Sequence, residues 1–224
     1  IATKKTKKGN FATNVNILED LAFQGHDLPK LILDWRQKSK LKNTYTDSLQ
    51  EFKSADRIIL PGQGSYRQCA LGVKNIKGLW DSLNEFVLVK KKPIFGICVG
   101  MQLFSEQGYE EQVTEGFGWI KGTVKKIEIS NRDLKLPHMG WNEVNVVKKN
   151  DLFLDIKNLS HFYFVHSFAF EAKDEKDVIC ITDYEKPVVA GILKENIFGT
   201  QFHPEKSQSN GIKLLSNFLN WNLL

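Results

Sequence analysis

The chain has 224 residues, 42% of them hydrophobic and 25% charged, which suits one α/β domain with a full core. Its 31 basic and 26 acidic residues leave a formal charge of +5, but the lysines beyond the N-terminus are scattered rather than striped with aromatics, which argues against nucleic-acid binding. No apolar run reaches the length of a membrane span, and the lysine-bearing N-terminus lacks the apolar core of a secretory signal.

The first segment, Ile1 to Lys8, carries four lysines and precedes Gly9 and Asn10. Four lysines in a central strand are costly unless their heads escape the core. Residues 25–49 are polar and long. Arg57 to Leu60 then reads as a short buried strand stopped by Pro61, Gly62, Gln63 and Gly64. A helix is predicted to about Lys77 and a second from Leu79 to Val89, followed by a strand over Pro93 to Ile97. The order strand, loop, helix, strand, turn, helix implies parallel strands with crossover helices, and ligand binding at their carboxyl ends.

From Gly118 the rhythm shortens. Strands are predicted over Trp119–Ile129, Trp141–Val147, Phe162–Phe170, Val178–Asp183, Val188–Leu193 and Ile197–Phe202, as antiparallel or mixed sheet. An amphipathic helix over Asn210–Leu223 closes the chain, with Ile212, Leu215, Phe218 and Leu219 on one face. With no linker, repeat or low-complexity tract, one domain over 1–224 is expected, residues 1–50 being atypical.

The most informative stretch is Gly96, Ile97, Cys98, Val99 and Gly100. It follows an apolar strand and precedes a helix-like run from Met101 to Glu106. A cysteine between near glycines at such a junction has the layout of a nucleophile elbow, a sharp turn that lifts the side chain clear of the backbone. Amide donors at the start of the next helix favour thiolate. The Val99 N–H, next to the sulfur, is a natural oxyanion donor. Downstream, Gln201, Phe202, His203, Pro204, Glu205, Lys206 and Ser207 supply a base, His203, and a carboxylate to orient it, Glu205. Cys98, His203 and Glu205 fill the three roles of nucleophilic acyl transfer, with Pro204 restraining the backbone between the last two. Cys69 and Cys180 read as buried hydrophobes. An odd cysteine count without metal spacing points to a reduced, cytoplasmic protein, and the five dispersed histidines give no reason to expect a metal or cofactor.

The elbow with Met101, Gln102 and Leu103 behind it, and the run from Gln201 to Ser207, resemble the class I, triad-type glutamine amidotransferases. Two further segments, Leu136 to Asn142 and Tyr163 to Ser167, resemble the family of glutaminase subunits of imidazole glycerol phosphate synthase. The resemblance runs from about Ser54 to the C-terminus. The first fifty residues depart from it, because the family begins with an apolar strand.

That resemblance implies a flavodoxin-like three-layer α/β fold, with a central, mostly parallel sheet and an added antiparallel region. It implies that Cys98 attacks the carboxamide of L-glutamine and that the Gln63 amide is the second oxyanion donor. Gln63 stands where relatives carry an apolar residue. Gln102 would hold the amino-acid end of the substrate, with Gly62, Gly64, His166, Ser167 and Phe168 around it, while His138 and His166 would be structural or wall residues. A heterodimer is implied with a HisF-like (β/α)8-barrel cyclase, docked at Asn10, Trp141 and Lys206. Ammonia would pass to a ribonucleotide there, yielding imidazole glycerol phosphate and AICAR in histidine biosynthesis. The alternatives are another triad amidotransferase, a catalytically silent scaffold and a cysteine peptidase on this fold. The run Pro137 to Trp141 weighs against the first and the intact Cys98, His203 and Glu205 against the second. The third would need an open groove instead of a small-amide pocket.

Overall fold

The structure is a computed structural model that describes residues 55–223 and the strands Val15–Ile17 (β1) and Asn43–Tyr45 (β2). The lysine-rich start and Asn10 lie outside the described residues. β1 runs parallel to β2 on one side and to Arg57–Gly62 (β3) on the other, and is the first strand among the described residues.

Tyr66–Asn75 (α1) and Leu79–Asn84 (α2) follow β3, and α2 runs on into a π-helical turn over Glu85–Val89. Ser65 caps α1, its hydroxyl accepting from the Gln68 N–H. Ile94–Cys98 (β4) leads directly into one helical turn, Val99–Gln102 (α3). β3 and β4 are buried at every position, as strands covered on both faces are.

The second half contains Gln107–Gly108 (β5), Thr114–Glu115 (β6), Gly122–Lys126 (β7), His138–Val146 (β8), Ser160–His166 (β9) and Phe168–Ala172 (β10). Val178–Tyr184 (β11), Lys186–Lys194 (β12), Ile197–Thr200 (β13) and the closing helix Gln208–Asn220 (α4) complete the described elements. A nine-stranded sheet has the order β2-β1-β3-β4-β13-β12-β11-β8-β9, and a four-stranded one the order β10-β7-β5-β6. The pairings are parallel from β2 to β13 and antiparallel from β13 to β9, which is the expected α/β class with an antiparallel region attached.

Three expectations change. The predicted strand over Phe162–Phe170 is two strands: β9 pairs with β8 in the large sheet, β10 with β7 in the small one, and Ser167 is the crossing point. The short pair β5–β6 was not predicted, being too brief and polar to carry an alternating pattern. On α4 the buried stripe is Gly211, Leu214, Leu215, Phe218 and Leu219, while Ile212 is 48% exposed. Gly211 sets that rotation, because a Cβ there would stand 1.7 Å from the Pro204 carbonyl oxygen. The Phe95 ring ties the layers together, 4.5 Å from Phe198 in the sheet and 5.2 Å from Phe218 on α4.

Register decides where chemistry can happen. Gly62 at the end of β3 lies beside Cys98 at the end of β4, and Thr200 of β13 lies beside Ile97. The loops leaving three adjacent parallel strands therefore emerge together at one carboxyl edge.

Candidate active site

Cys98 has φ 55° and ψ −113°, a strained conformation for a side chain with a Cβ. The turn is sharp, and its strain sits on the cysteine rather than on the glycines. The flanking glycines do another job: a Cβ on Gly100 would come within 1.9 Å of the Leu60 carbonyl oxygen, and one on Gly96 within 2.7 Å of Gly100. They let the turn lie directly on β3. Gly62 is part of the same close approach, 2.5 Å from the Gly100 nitrogen if given a Cβ. It backs the elbow and is not among the residues lining the cavity above it. α3 is shorter than the predicted run to Glu106, so its dipole is small.

His203 and Glu205 leave β13 through a 3₁₀ turn over Pro204–Lys206. His203 Nδ1 meets Glu205 Oε1 at 2.7 Å, both side chains nearly out of solvent. The backbone around the pair is tied down. The His203 N–H donates to the Tyr163 carbonyl (2.9 Å), and the Ser207 hydroxyl donates to the His203 carbonyl (2.6 Å) while accepting from the Tyr163 N–H (3.0 Å). Burial alone would lower the His203 pKa, but the negative charges of Cys98 and then Glu205 outweigh it and push the imidazole up to about 10. Its Nε2 is buried without a well-formed hydrogen bond, and the Cys98 side chain acts on the ring more strongly than Glu205 does.

A cavity of about 630 Å³ opens over these groups. It brings together Cys98, Val99, His203 and Glu205 with Gln63 and Gly64 from the β3 loop. Gln102, His166, Ser167, Phe168 and Lys206 complete the predicted set that it gathers. The Gln63 carbonyl accepts from the Cys69 thiol at 3.6 Å, so α1 holds one side of that loop. Cys69 is otherwise a buried hydrophobe, its thiol pushed up to about 12 by desolvation, and Cys180 is buried likewise. Gln102 is buried rather than displayed: its Nε2 donates to the Phe168 carbonyl (2.9 Å) and to Gln201 Oε1 (3.0 Å).

Sequence reasoning missed two residues. Glu110 lines the cavity, its Oε2 accepting from the Tyr66 N–H at the start of α1 (2.7 Å). Gln201 is fully buried and its Nε2 donates to Cys98 Sγ (3.6 Å). Glu110 stands in a charged loop that carries no pattern, whereas Gln201 lies inside a recognised run and its position next to β13 could have flagged it.

His138 and His166 form a buried wall. The Phe168 carbonyl can only accept, so His166 Nδ1 donates to it (2.9 Å) and His166 Nε2 must accept from His138 Nδ1 (3.1 Å). Asn142 Nδ2 then donates to His138 Nε2 (3.2 Å). Both rings are neutral in this chain of bonds, and desolvation accordingly lowers His138 to about 4 and His166 to about 3.

Trp141 is 46% exposed and so is not a core tryptophan. Its ring meets Tyr163 edge-on at 6.1 Å, and Lys206 Nζ lies 5.9 Å from the same Tyr163 ring. Among the described residues no helix is long and apolar enough to cross a membrane.

Comparison with known proteins gives the same outline. The family model "Glutamine amidotransferase class-I" matches residues 28–221. The chain is 50% identical over 183 residues to imidazole glycerol phosphate synthase subunit HisH of Pelagibacter ubique, covering 82% of this chain and 88% of that one. It is 44% identical over 179 residues to the protein of that name from Mesorhizobium japonicum, covering 79% and 83%. Among solved structures, one described as a glutamine amidotransferase aligns with TM-score 0.68 at 14% identity over 92% of this chain and 96% of that one, a likeness of fold. A glutamine amidotransferase of Thermotoga maritima aligns with TM-score 0.60 at 17% identity over 92% and 82%.

Proposed function

We propose that this chain, which belongs to the class-I glutamine amidotransferases, is the glutaminase subunit of an imidazole glycerol phosphate synthase. The observation that carries the chemistry is the convergence of a strained Cys98 and the buried His203–Glu205 pair in one cavity. The relatives' names carry the pathway.

Cys98 thiolate attacks the glutamine side-chain carbonyl. The oxyanion is received by backbone N–H groups of Val99 and Gln63, donors that need no reorganisation once the β3 loop is in its productive state. His203, held protonated by its neighbours, gives its Nε2 proton to the departing ammonia and leaves a glutamyl thioester. Neutral His203 then takes a proton from water, which attacks the thioester, releases glutamate and restores the ion pair. Glu205 fixes the imidazole orientation and stabilises its charged form.

The substrate's other end needs an acceptor for its ammonium and donors for its carboxylate. Apart from Glu205, Glu110 is the carboxylate among the lining residues, and it is the natural ammonium partner. Gln102 and the backbone at Gly64 and His166 to Phe168 frame the remainder. The relatives' names, both of a synthase subunit, favour amidotransfer over proteolysis.

The ammonia acceptor would be bound by a HisF-like (β/α)8-barrel cyclase docked at the exposed face that carries Trp141 and Lys206. Asn10 belongs to the same proposal and lies outside the described residues. The test is a glutaminase assay with and without that cyclase and its ribonucleotide, following glutamate and imidazole glycerol phosphate together. The reading requires partner-stimulated glutamate release with matched cyclised product. A ~100-fold stimulation corresponds to about 2.7 kcal/mol of differential stabilisation of the productive state. Full glutaminase activity that no cyclase alters would overturn it.

A further inference from the structure

We propose that Gln201 is the residue that orients the Cys98 sulfur and favours its anionic form, and that Gln102 acts on the nucleophile by fixing the Gln201 amide. This rests on the reading of Cys98 as the nucleophile. Amide orientation usually cannot be told from shape, but here the bonding decides it. The Phe168 carbonyl accepts only, so the atom of Gln102 that meets it at 2.9 Å is the nitrogen. That nitrogen also meets the Gln201 amide at 3.0 Å, so Gln201 must turn its oxygen toward Gln102. Its NH₂ is then left facing Sγ at 3.6 Å. Rotation of the amide would set two NH₂ groups against each other and bring an oxygen lone pair to the sulfur.

The Gln201 backbone leaves little freedom, since its N–H donates to the Ala190 carbonyl at 2.9 Å. The side chain is fully buried, so no water competes for the sulfur on that side. A hydrogen bond to an ionised acceptor is about twice as strong as one to its neutral form. The contact therefore selects thiolate over thiol, and holds it where the turn at Cys98 has aimed it. The Val165 carbonyl stands 4.0 Å from Sγ and can only accept, which makes it a partner for the protonated thiol and not for the anion. Other titratable groups about the sulfur are His203, Glu205 and Lys206 on the turn after β13, His166 ending β9, Cys69 on α1 and Glu110 in the loop after β5. None of these is altered in the Gln201 variant.

The experiment uses the full chain with the shape-conserving variant Gln201→Met and measures alkylation of Cys98 by iodoacetamide, a small reagent that needs no amino-acid recognition. The alkylation-against-pH profile should move to higher pH. On the rising limb of that profile the rate at a given pH should fall about tenfold or more, the scale of one lost hydrogen bond to a charged group. In turnover kcat should fall with KM little changed, whereas a residue of purely structural weight would lower melting temperature without moving the profile. Gln102→Met, which leaves Gln201 in place but frees its amide to rotate, should move the profile in the same direction by less. If Gln201→Met is folded and alkylates as wild type does, the proposal is wrong. If that variant does not fold, an unmoved profile in Gln102→Met overturns it instead. Peptide mapping keeps the two readings apart: label on Cys69 or Cys180 with Cys98 unmodified would sink the nucleophile assignment, whatever Gln201 does.

Discussion

His203 and Glu205 are joined through Nδ1 and Oε1 at 2.7 Å, and each has an outer atom, Nε2 and Oε2, that is buried without a partner. The pair is thus fixed on one side and open on the other. In the proposed mechanism His203 carries the proton, so His203→Ala should cost a ~10²–10⁴-fold loss of glutamine turnover. Glu205→Gln keeps a group at hydrogen-bond distance but removes the charge that offsets burial, so its loss should be smaller. Steady-state rates with the cyclase and its ligand present check both, and full activity of His203→Ala would remove the triad mechanism.

Two strands of the parallel half were legible because buried parallel strands are continuous apolar runs, and Ile58–Leu60 and Pro93–Ile97 are such runs, whereas β1 and β2 were not read from the sequence. The elbow was legible because Gly96 and Gly100 are needed for a backbone approach that no other residue permits. The break at Ser167 was not, since the chain stays extended and apolar while it changes sheets, and periodicity does not report which neighbour a strand chooses. Glu110 was hidden for a similar reason. Its place in the cavity depends on a loop folding back on the start of α1, 44 residues earlier. Gln201 stood in plain view, but its role depends on Gln102, 99 positions away.

Three buried histidines should give the fold a stability maximum near neutrality. For His138 and His166 the folded pKa values, about 4 and about 3, lie below the unfolded value near 6.5. The unfolded chain then binds more protons in that interval, so stability is full above about pH 6.5 and falls as pH drops toward 4, by up to about 1.4 kcal/mol per pH unit for each ring. His203 has the opposite sign. With its folded value raised to about 10, its contribution is full below about pH 6.5 and is lost as pH rises through about 10. Urea unfolding between pH 4.5 and 10, values chosen to span about both flanks, should give a dome. His138→Gln should flatten the acid flank alone, and an unchanged acid slope would rule out the neutral pair as its cause.

Gly100→Ala tests the close approach beneath the elbow. The new Cβ would stand 1.9 Å from the Leu60 carbonyl oxygen, and backbone cannot yield as a flexible side chain does. The cost should reach or exceed the top of the usual overpacking range of roughly 1–3 kcal/mol. Any relief must lift α3 from β3, and this displaces Cys98 from the carboxyl edge it shares with Gly62. Gly118→Ala is the control: its added Cβ would meet nothing within 4 Å, although its φ of 68° still carries some strain. The expected result is a large loss of unfolding free energy and of turnover in the first variant, and a small loss of stability in the second. Equal effects would show that packing at Gly100 is not what shapes the turn.

The exposed Trp141 face tests the proposed assembly. Trp141, Tyr163 and Lys206 form one continuous patch, with the indole edge-on to Tyr163 and the lysine ammonium 5.9 Å from the same ring. Met139, also exposed, extends it. A large rigid aromatic left half in solvent is the kind of side chain that anchors interfaces, where its burial contributes more than that of its neighbours. Lys206 immediately follows Glu205, so a partner carboxylate pairing with it would bear on the turn that carries His203. Trp141→Ala should weaken association with the barrel cyclase, by about 2 kcal/mol or more if it is a hot spot. Where complex still forms, it should release glutamate in excess of imidazole glycerol phosphate. Lys206→Ala should do the same more mildly. Because Trp141 is half in solvent already, its removal should leave the melting temperature of the isolated chain nearly unchanged, which separates docking from folding. Titration of each variant against the cyclase, with both products measured, decides the matter. Normal binding by Trp141→Ala, with the two products in their wild-type ratio, would place the interface elsewhere on the molecule.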